Sequence, residues 1–176
     1  MYGMRKTKLS LLSHDVSWAT DFDNAKERIL GALNCSNIFI EHIGSTAIPG
    51  VYAKPILDIA ILSGEIELLP ISKALEGLGY EFRGQYGEQV HHYYAVLDRD
   101  GVRYCQLHLY AESCEDFLCK IQFRDVLRVN TALAKEYSEY KQSLAKLVSN
   151  KGKYAEIKSG WLDTFINKVM VGAPNA

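Results

Sequence analysis

Gly44, Ser45 and Asp58 are the residues whose types and spacing best fit a chemical site. A strand-like stretch ends at Gly44-Ser45, twelve residues follow, and Asp58 then stands inside the apolar run Pro55–Leu62. Glycine lets the backbone turn tightly and approach a ligand, and the freed N–H groups and the hydroxyls of Ser45 and Thr46 can hold phosphate oxygens. A carboxylate on a rigid central strand can bind a divalent cation that bridges those phosphates.

An aspartate inside an apolar strand requires an explanation, because a buried carboxylate costs free energy unless it is paired or binds a cation. One explanation is the phosphate and metal site just described. The other is a tight loop over Gly44–Gly50 with a satisfied structural carboxylate at Asp58, for which Lys54 is one candidate partner. The Gly-Ser pair combined with an aspartate at this spacing favours the functional explanation.

Two residues beside this motif can contribute to a site. Lys54 precedes the strand of Asp58, where its ammonium group can neutralise phosphate charge or can be solvated in a loop. His42 precedes the Gly-Ser pair, and strand alternation allows its ring to face either side of a sheet.

A basic stripe occurs further along the chain. Arg124 and Arg128 are four residues apart and therefore share one face of the predicted helix. The guanidinium group of Arg124 can hold a phosphate through two parallel hydrogen bonds. It can equally pair with a carboxylate, with Asp125, Asp116 and Glu41 as the candidates.

The composition excludes several classes of protein. The 176 residues are 48% hydrophobic and 23% charged, which is typical of a folded globular chain and not of a disordered or collagen-like one. With 20 basic and 21 acidic residues, the chain lacks the basic excess that broad binding to polynucleotides or anionic membranes requires. No apolar stretch is long enough for a membrane helix or resembles a secretory signal. We therefore expect a cytoplasmic protein.

The four cysteines do not form a Cys-x-x-Cys pair, which argues against a structural zinc site. In a cytoplasmic protein we expect reduced and mostly buried thiols. The residues concerned are Cys35, Cys105, Cys114 and Cys119.

The hydrophobic pattern predicts a helix, two strands, a helix, further strands and then three helices. Apolar residues between Trp18 and Leu33 recur at spacings of three and four, which is typical of a helix. Asp98–Gly101 separates two strand-like segments and indicates a β-hairpin, and Asn130 is a candidate N-cap. This order predicts an α+β fold: a mixed β-sheet flanked by helices, with a C-terminal helical layer. We expect residues 1–176 to form a single domain.

The segment HIGSTAIPGVYAKPILDI, residues 42–59, is similar to the signature of the GrpB family. The similarity extends through nearly the whole chain, in four shorter segments: His14–Trp18, Phe123–Arg128, Leu133–Lys141 and Tyr154–Lys158. That family is sometimes found fused to dephospho-CoA kinase and belongs to the nucleotidyltransferase-fold superfamily. The resemblance therefore implies a nucleotidyltransferase-like sheet flanked by helices.

The resemblance also implies roles for particular residues. In the superfamily pattern a Gly-Ser pair contacts phosphate, and two carboxylates one residue apart follow it, with a third on a later strand. Asp58 would be the first metal ligand, but position 60 is Ala60 and the later strand offers only His108. Shared carboxylates hold two metal ions about 4 Å apart. One aspartate and one histidine fit a single ion, which is Mg²⁺ or Mn²⁺ for catalysis, or Zn²⁺ or Ni²⁺ because of the imidazole.

Two functions remain open at this stage. The first is a nucleotidyltransferase-fold enzyme that binds a nucleotide or another phosphorylated small molecule and performs metal-assisted nucleotidyl or phosphoryl transfer. It assigns phosphate binding to Gly44, Ser45, Thr46, Lys54 and Arg124, and metal binding and catalysis to Asp58 and His108. The second is a non-catalytic nucleotide- or metabolite-binding module with a degenerate metal site. A homodimer through the C-terminal helical layer also remains open.

Overall fold

The computed structural model describes residues 2–5, 9–33, 38–63, 68–85, 92–110 and 115–171. Within these residues the chain forms six β-strands and five α-helices. The strands are β1 (Met4–Arg5), β2 (Phe39–Ile43), β3 (Leu57–Leu62), β4 (Glu81–Gln85), β5 (His92–Arg99) and β6 (Val102–Tyr110). The helices are α1 (Ser17–Leu33), α2 (Leu68–Gly77), α3 (Glu115–Val129), α4 (Thr131–Leu147) and α5 (Lys151–Val171). A short 3₁₀ turn, Ser45–Ala47, follows β2.

The strands form one mixed sheet in the order β2-β3-β6-β5-β4. β3 and β6 are parallel, whereas the pairs β2-β3, β5-β6 and β4-β5 are antiparallel. β1 pairs with the first residues of β6, Val102 and Arg103. β3 has a strand on each side, which explains why its sequence is almost continuously apolar.

The two faces of the sheet carry different side chains of β3. Ile59 and Ile61 pack on one face with the apolar stripes of α1 and α2. Asp58 and Ala60 alternate with them and point to the other face. There Ala60 packs with Ile43, Tyr110 and Phe117 of α3. The one carboxylate of β3 therefore lies on the face that the C-terminal helices approach.

The last three helices form a layer next to the loop between β2 and β3. One apolar cluster joins Phe123 of α3, Tyr137 of α4 and Phe165 of α5 to Ile48 and Val51 of that loop. This cluster holds α4 and α5 beside the Gly-Ser turn. These two C-terminal helices can therefore contribute residues to the site.

The predicted α+β fold and the predicted order of elements are confirmed. The hairpin between β5 and β6 turns through Asp100 and Gly101, whose φ angles of 52° and 75° suit a two-residue hairpin turn. Asn130 caps α4, because its side-chain oxygen accepts a hydrogen bond from the N–H of Leu133 at 3.1 Å. β1 was not expected, since two residues carry no readable periodicity.

Two expectations from the composition, on the cysteines and on membrane helices, can be compared with the structure. Cys105 is fully buried and burial raises its pKa to about 12, while Cys119 is half-buried, and both are free thiols. Cys35 and Cys114 lie outside the described residues. None of the helices in the described ranges has the length and apolar character needed to cross a bilayer.

Candidate functional site

The Gly-Ser turn is built against Asp58. β2 ends at Ile43, and Gly44, with a φ of 69°, turns the chain into the 3₁₀ turn that begins at Ser45. A Cβ at position 44 would lie 2.9 Å from the Cβ of Asp58, well inside the optimal separation of two carbon atoms. Glycine at this position therefore lets the turn lie directly on the strand that carries the carboxylate.

Asp58 is in register with Gln106 of β6, and the two side chains are hydrogen-bonded. Nε2 of Gln106 donates to Oδ1 of Asp58 at 2.9 Å. Burial raises the pKa of Asp58 above its usual value, against the opposing effects of the Lys158 charge and the Gln106 hydrogen bond. No ion pair joins Asp58 to Lys54, both of which lie in the described ranges. The partner of the carboxylate is therefore the amide of Gln106 and not Lys54, and this hydrogen bond is compatible with both explanations of Asp58.

Asp58 lines a pocket of about 120 Å³ that brings together distant parts of the chain. The turn, the segment before β3, the two parallel strands and the last two helices all contribute. The lining residues are Ser45, Thr46, Lys54, Ile56, Asp58, Gln106, Lys141, Tyr154 and Lys158.

Lys141 of α4 is the most deeply buried cation of this pocket, with 3% of its surface exposed. Its Nζ donates a hydrogen bond of 2.5 Å to the backbone carbonyl of Tyr52 and lies 4.8 Å from the ring centroid of Tyr137. Burial, reinforced by the positive charge of Lys158, lowers the pKa of Lys141 well below its usual value. The contacts with Tyr52 and Tyr137 thus hold the side chain in a buried position, where the protonated form of the amine is disfavoured.

The amine of Lys54 makes fewer contacts than that of Lys141. Its Nζ lies 4.7 Å from the ring centroid of Tyr154, and within the described residues it has no hydrogen-bond or ion-pair partner. Burial lowers the pKa of Lys54 to about 8, and the charges of Lys158 and Lys151 act in the same direction. An anion beside this amine would raise the pKa again.

The pocket therefore carries the chemistry of an anion site. Three lysines and one aspartate line it, together with the hydroxyl-bearing Ser45 and Thr46. Ammonium and hydroxyl groups are donors that phosphate oxygens accept. The excess of lysines over carboxylates means that an anion would reduce the unfavourable repulsion among the lysines.

The same donor set fits a divalent cation poorly. Mg²⁺ and Mn²⁺ favour several oxygen ligands, whereas Asp58 is the one carboxylate of the pocket and Gln106 occupies its Oδ1. Nowhere in the part of the chain that the structure describes do three His, Cys, Asp or Glu side chains converge as metal ligands. The predicted metal at Asp58 thus lacks the further ligands that it would need.

His108, the expected second ligand and general base, does not line the pocket. It is in register with Ala60, two residues along β6 from Gln106, and its ring centroid lies 5.5 Å from that of Tyr94. Ala60, where the resemblance implies a second carboxylate, is fully buried in the apolar cluster with Phe117. The structure therefore does not place His108 in the pocket with Asp58.

Arg124 does not line the pocket either. Its Nη1 donates to Oε2 of Glu41 at 2.6 Å and to the carbonyl oxygen of His42 at 2.9 Å. Its Nε and Nη2 donate to Asp125 at 2.7 and 3.0 Å. The alternative in which Arg124 pairs with Glu41 or Asp125 is confirmed, and its location gives no support to a phosphate contact.

Both hydroxyl groups of the turn have partners in the protein. Oγ of Ser45 lies 3.0 Å from the hydroxyl oxygen of Tyr137, and Oγ1 of Thr46 lies 2.9 Å from Nε2 of His42. The His42 ring stacks on Phe22 of α1, and burial lowers its pKa to about 3. His42 therefore orients Thr46 from the α1 side and does not enter the pocket.

Five pocket residues were absent from the predicted site, namely Ile56, Gln106, Lys141, Tyr154 and Lys158. The two lysines did carry a readable signal. Lys141 follows Tyr137 by four residues, and Lys158 follows Tyr154 by four, so each lysine falls on the apolar stripe of its helix. A lysine on such a stripe must be paired or have a role, because a buried unpaired charge is costly.

A family model and several known proteins are similar to most of this chain. The sequence model described as GrpB protein matches residues 8–168. UPF0157 protein YqkA of Bacillus subtilis is 31% identical over 161 residues, which make up 90% of this chain and 46% of that relative. Glutamate-rich protein GrpB of Alkalihalophilus pseudofirmus is 28% identical over 177 residues, 96% of this chain and 100% of the relative. The chain thus spans less than half of YqkA.

Solved structures agree with the fold. The crystal structure of conserved protein GrpB from Enterococcus faecalis has a TM-score of 0.81 at 27% identity, covering 91% of this chain and 96% of that one. A cytoplasmic RNA terminal U-transferase has a TM-score of 0.54 at 15% identity, covering 77% and 41%. The Cid1 poly(U) polymerase bound to MgATP has a TM-score of 0.51 at 14% identity, covering 74% and 45%. These two likenesses concern the fold alone, and they confirm that it is nucleotidyltransferase-like.

Proposed function

Because this chain belongs to the GrpB family, we propose that the pocket at its Gly-Ser turn binds the phosphate group of a nucleotide or another phosphorylated small molecule. The observation that carries the proposal is the convergence of Lys54, Lys141 and Lys158 on a pocket where Asp58 is the one carboxylate among the described lining residues. These lysines come from three separate parts of the chain, so their proximity is a property of the fold and not of local sequence.

The electrostatics of the pocket support an anionic ligand. Burial lowers the pKa of Lys54 and of Lys141, which means that the protein without ligand holds these charges at a cost. A phosphate placed between the amines favours their charged forms and offsets part of that cost. Binding is therefore expected to stabilise the fold and to take up protons at neutral pH.

The turn supplies the remaining contacts. Gly44 brings the backbone close to Asp58, and Ser45 lines the pocket with its hydroxyl beside that of Tyr137. If Tyr137 donates to Ser45, the hydroxyl hydrogen of Ser45 is free to donate to a phosphate oxygen. No step of this binding requires a metal ion.

Metal-assisted nucleotidyl transfer is the second candidate. It is favoured by the position of Asp58 on the strand that follows the Gly-Ser turn, within a nucleotidyltransferase-like fold. Ala60 and Gln106 count against it. Both lie on the same face as Asp58, where further carboxylates would be needed to hold a metal ion, and neither is a carboxylate. Incubation with each nucleoside triphosphate labelled at the α-phosphate, with Mg²⁺ or Mn²⁺, tests it. Asp58-dependent transfer of the label from the triphosphate to another product would establish this candidate, and intact triphosphate throughout would leave the binding function.

Thermal unfolding with added anions tests the binding function. Pyrophosphate, inorganic phosphate, AMP and ATP are added in the presence of EDTA, and the midpoint of unfolding is recorded. A ligand at a hundred times its dissociation constant adds about 2.7 kcal/mol of stability. We expect an upward shift with at least one phosphate compound and no requirement for a metal ion.

Two variants of α5 make the test specific to the pocket. Lys158→Met removes a pocket cation and is expected to abolish the shift. Lys153→Met removes an exposed lysine of the same helix and is expected to leave it unchanged. Loss of the shift in both variants, or its absence in the unaltered protein, would contradict the proposed function.

A further inference from the structure

We propose that Lys54 forms a Schiff base with a small phosphorylated aldehyde or ketone, whose phosphate is held in the same pocket. This inference rests on the proposed function, because the phosphate contacts position the carbonyl group. It adds a covalent bond to Lys54, which the proposed function uses only as a charged neighbour of the phosphate.

The first argument is the placement of the amine. The backbone on the N-terminal side of Lys54 is fixed by the pairing of Ala53 with Leu12, at 2.8 and 2.9 Å. The carbonyl oxygen of Lys54 accepts a hydrogen bond from the N–H of Ile56 at 2.7 Å. Its Nζ faces the Tyr154 ring and has no hydrogen-bond partner in the described ranges, whereas that of Lys141 is engaged by a carbonyl. Lys54 is thus an amine of the pocket that is both fixed at its backbone and free to react.

The second argument is the set of groups that surround this amine. Lys158 and Lys151 approach from α5 and Lys141 from α4, while Asp58 of β3 supplies the one opposing charge. Before a phosphate is bound, with its pKa at about 8, Lys54 has roughly two hundred times more neutral amine at pH 7.5 than an ordinary lysine. A bound phosphate reduces this advantage but leaves room for the smaller preference tested below. Burial and neighbouring cations are the conditions that activate a lysine as a nucleophile.

The third argument is size. The pocket measures about 120 Å³, the share of roughly four water molecules in the liquid. Pockets that enclose drug-sized ligands measure about 300 Å³ or more. The pocket can therefore enclose a phosphate group and a short carbon chain, whereas a nucleoside would have to remain outside it. A two- or three-carbon carbonyl phosphate is the class of compound that fits.

The reaction is a condensation that needs no redox partner. The lone pair of the neutral Nζ attacks the carbonyl carbon, a C–N bond forms as the C=O π bond breaks, and a proton passes from the nitrogen to the oxygen. The resulting carbinolamine loses water to give the C=N bond of the imine. Added cyanoborohydride delivers hydride to that bond and converts it into a stable secondary amine.

Reductive trapping with glycolaldehyde phosphate tests the inference. The protein is incubated with this compound and sodium cyanoborohydride at pH 7.5, and peptide mass spectrometry follows the adduct at each lysine. Lys153, exposed on α5, serves as the internal control. We expect Lys54 to be labelled at least about tenfold faster than Lys153, because far more of its amine is neutral. Lys54→Arg should remove that adduct and leave the labelling of Lys153 unchanged.

Two comparisons separate this inference from the proposed function. Unphosphorylated glycolaldehyde should show much less preference for Lys54, and excess inorganic phosphate should slow the labelling of Lys54 but not that of Lys153. Equal labelling of both lysines by glycolaldehyde phosphate would overturn the Schiff base, while the thermal shift by phosphate would independently uphold the binding site. Equal preference for Lys54 with and without the phosphate group would overturn the phosphorylated substrate class.

Discussion

Gly44 lies directly against Asp58: a Cβ on Gly44 would be 2.9 Å from Cβ and 3.0 Å from Cγ of the aspartate. This contact joins the two most recognisable features of the sequence in one small volume. Because Gly44 also has a positive φ, both its backbone conformation and its lack of a side chain are required. The distance between the turn and the carboxylate is therefore set by the glycine.

Gly44→Ala is expected to destabilise the protein by about 3–4 kcal/mol, since strain at positive φ is added to the clash with Asp58. Gly50→Ala is the matched control, because Gly50 has a φ of 77° and nothing within 4 Å of an added Cβ. It should cost about 1 kcal/mol. Urea unfolding measures both values, and equal losses in the two variants would show that the turn can move away from Asp58.

Lys54→Met is expected to stabilise the protein at pH 7 by about 1–3 kcal/mol while it weakens phosphate binding. The pKa of Lys54 is lowered to about 8 in the folded state, so the folded protein carries a penalty below pH 8. That penalty disappears as the pH rises from 8 towards the unfolded value of about 10.4. The stability difference between the variant and the unaltered protein should therefore narrow over this range.

Urea unfolding at intervals from pH 7 to pH 10 measures that difference, with Lys153→Met as the exposed control. A difference that is constant with pH would mean that Lys54 titrates normally. Such a result would remove the electrostatic support for the anion site.

Arg124→Met is expected to cost about 2–4 kcal/mol and to leave phosphate affinity unchanged in the folded protein. The guanidinium group is 8% exposed and connects α3 to β2 through Glu41 and the carbonyl of His42. Arg83→Met, which breaks an exposed pair with Glu81, should cost less than about 1 kcal/mol. A stable Arg124→Met protein that no longer binds phosphate would instead assign this residue to the ligand.

Ala60→Asp is expected to destabilise the protein by about 3 kcal/mol or more without creating a metal site, because the new carboxylate would be buried among apolar side chains. Its neighbours in that cluster are Ile43, Tyr110 and Phe117. Ala132→Asp, at an exposed position of α4, is the control. Urea unfolding and Mn²⁺ titration by electron paramagnetic resonance provide the two measurements. A stable variant that binds Mn²⁺ tightly would show that position 60 still belongs to a metal site.

Much of the fold could be predicted because its signals are local. The stripe from Trp18 to Leu33, the hairpin turn and the Asn130 cap each depend on a few neighbouring residues. The apolar run around Asp58 predicted a buried strand for the same reason. Local periodicity and turn chemistry were sufficient for these elements.

The composition of the pocket could not be predicted in the same way, because it depends on how separate elements pack. Lys141 and Lys158 reach Asp58 only because α4 and α5 pack against the loop between β2 and β3. His108 and Gln106 lie on the same face of β6, but the register of β3 with β6 decides that Gln106 meets Asp58. Register and helix packing are long-range properties, and neither is encoded in the spacing of the motif.

The central claim is that an anion binds among these lysines, and a crystal soaked with tungstate tests it most directly. Tungstate resembles phosphate in shape and charge and scatters X-rays anomalously. We predict an anomalous peak in the pocket, placed so that the tungstate oxygens lie within hydrogen-bonding distance of Ser45 Oγ and of the Nζ atoms of Lys54 and Lys158. A pocket without a peak, at a tungstate concentration that labels other sites on the protein, would contradict it.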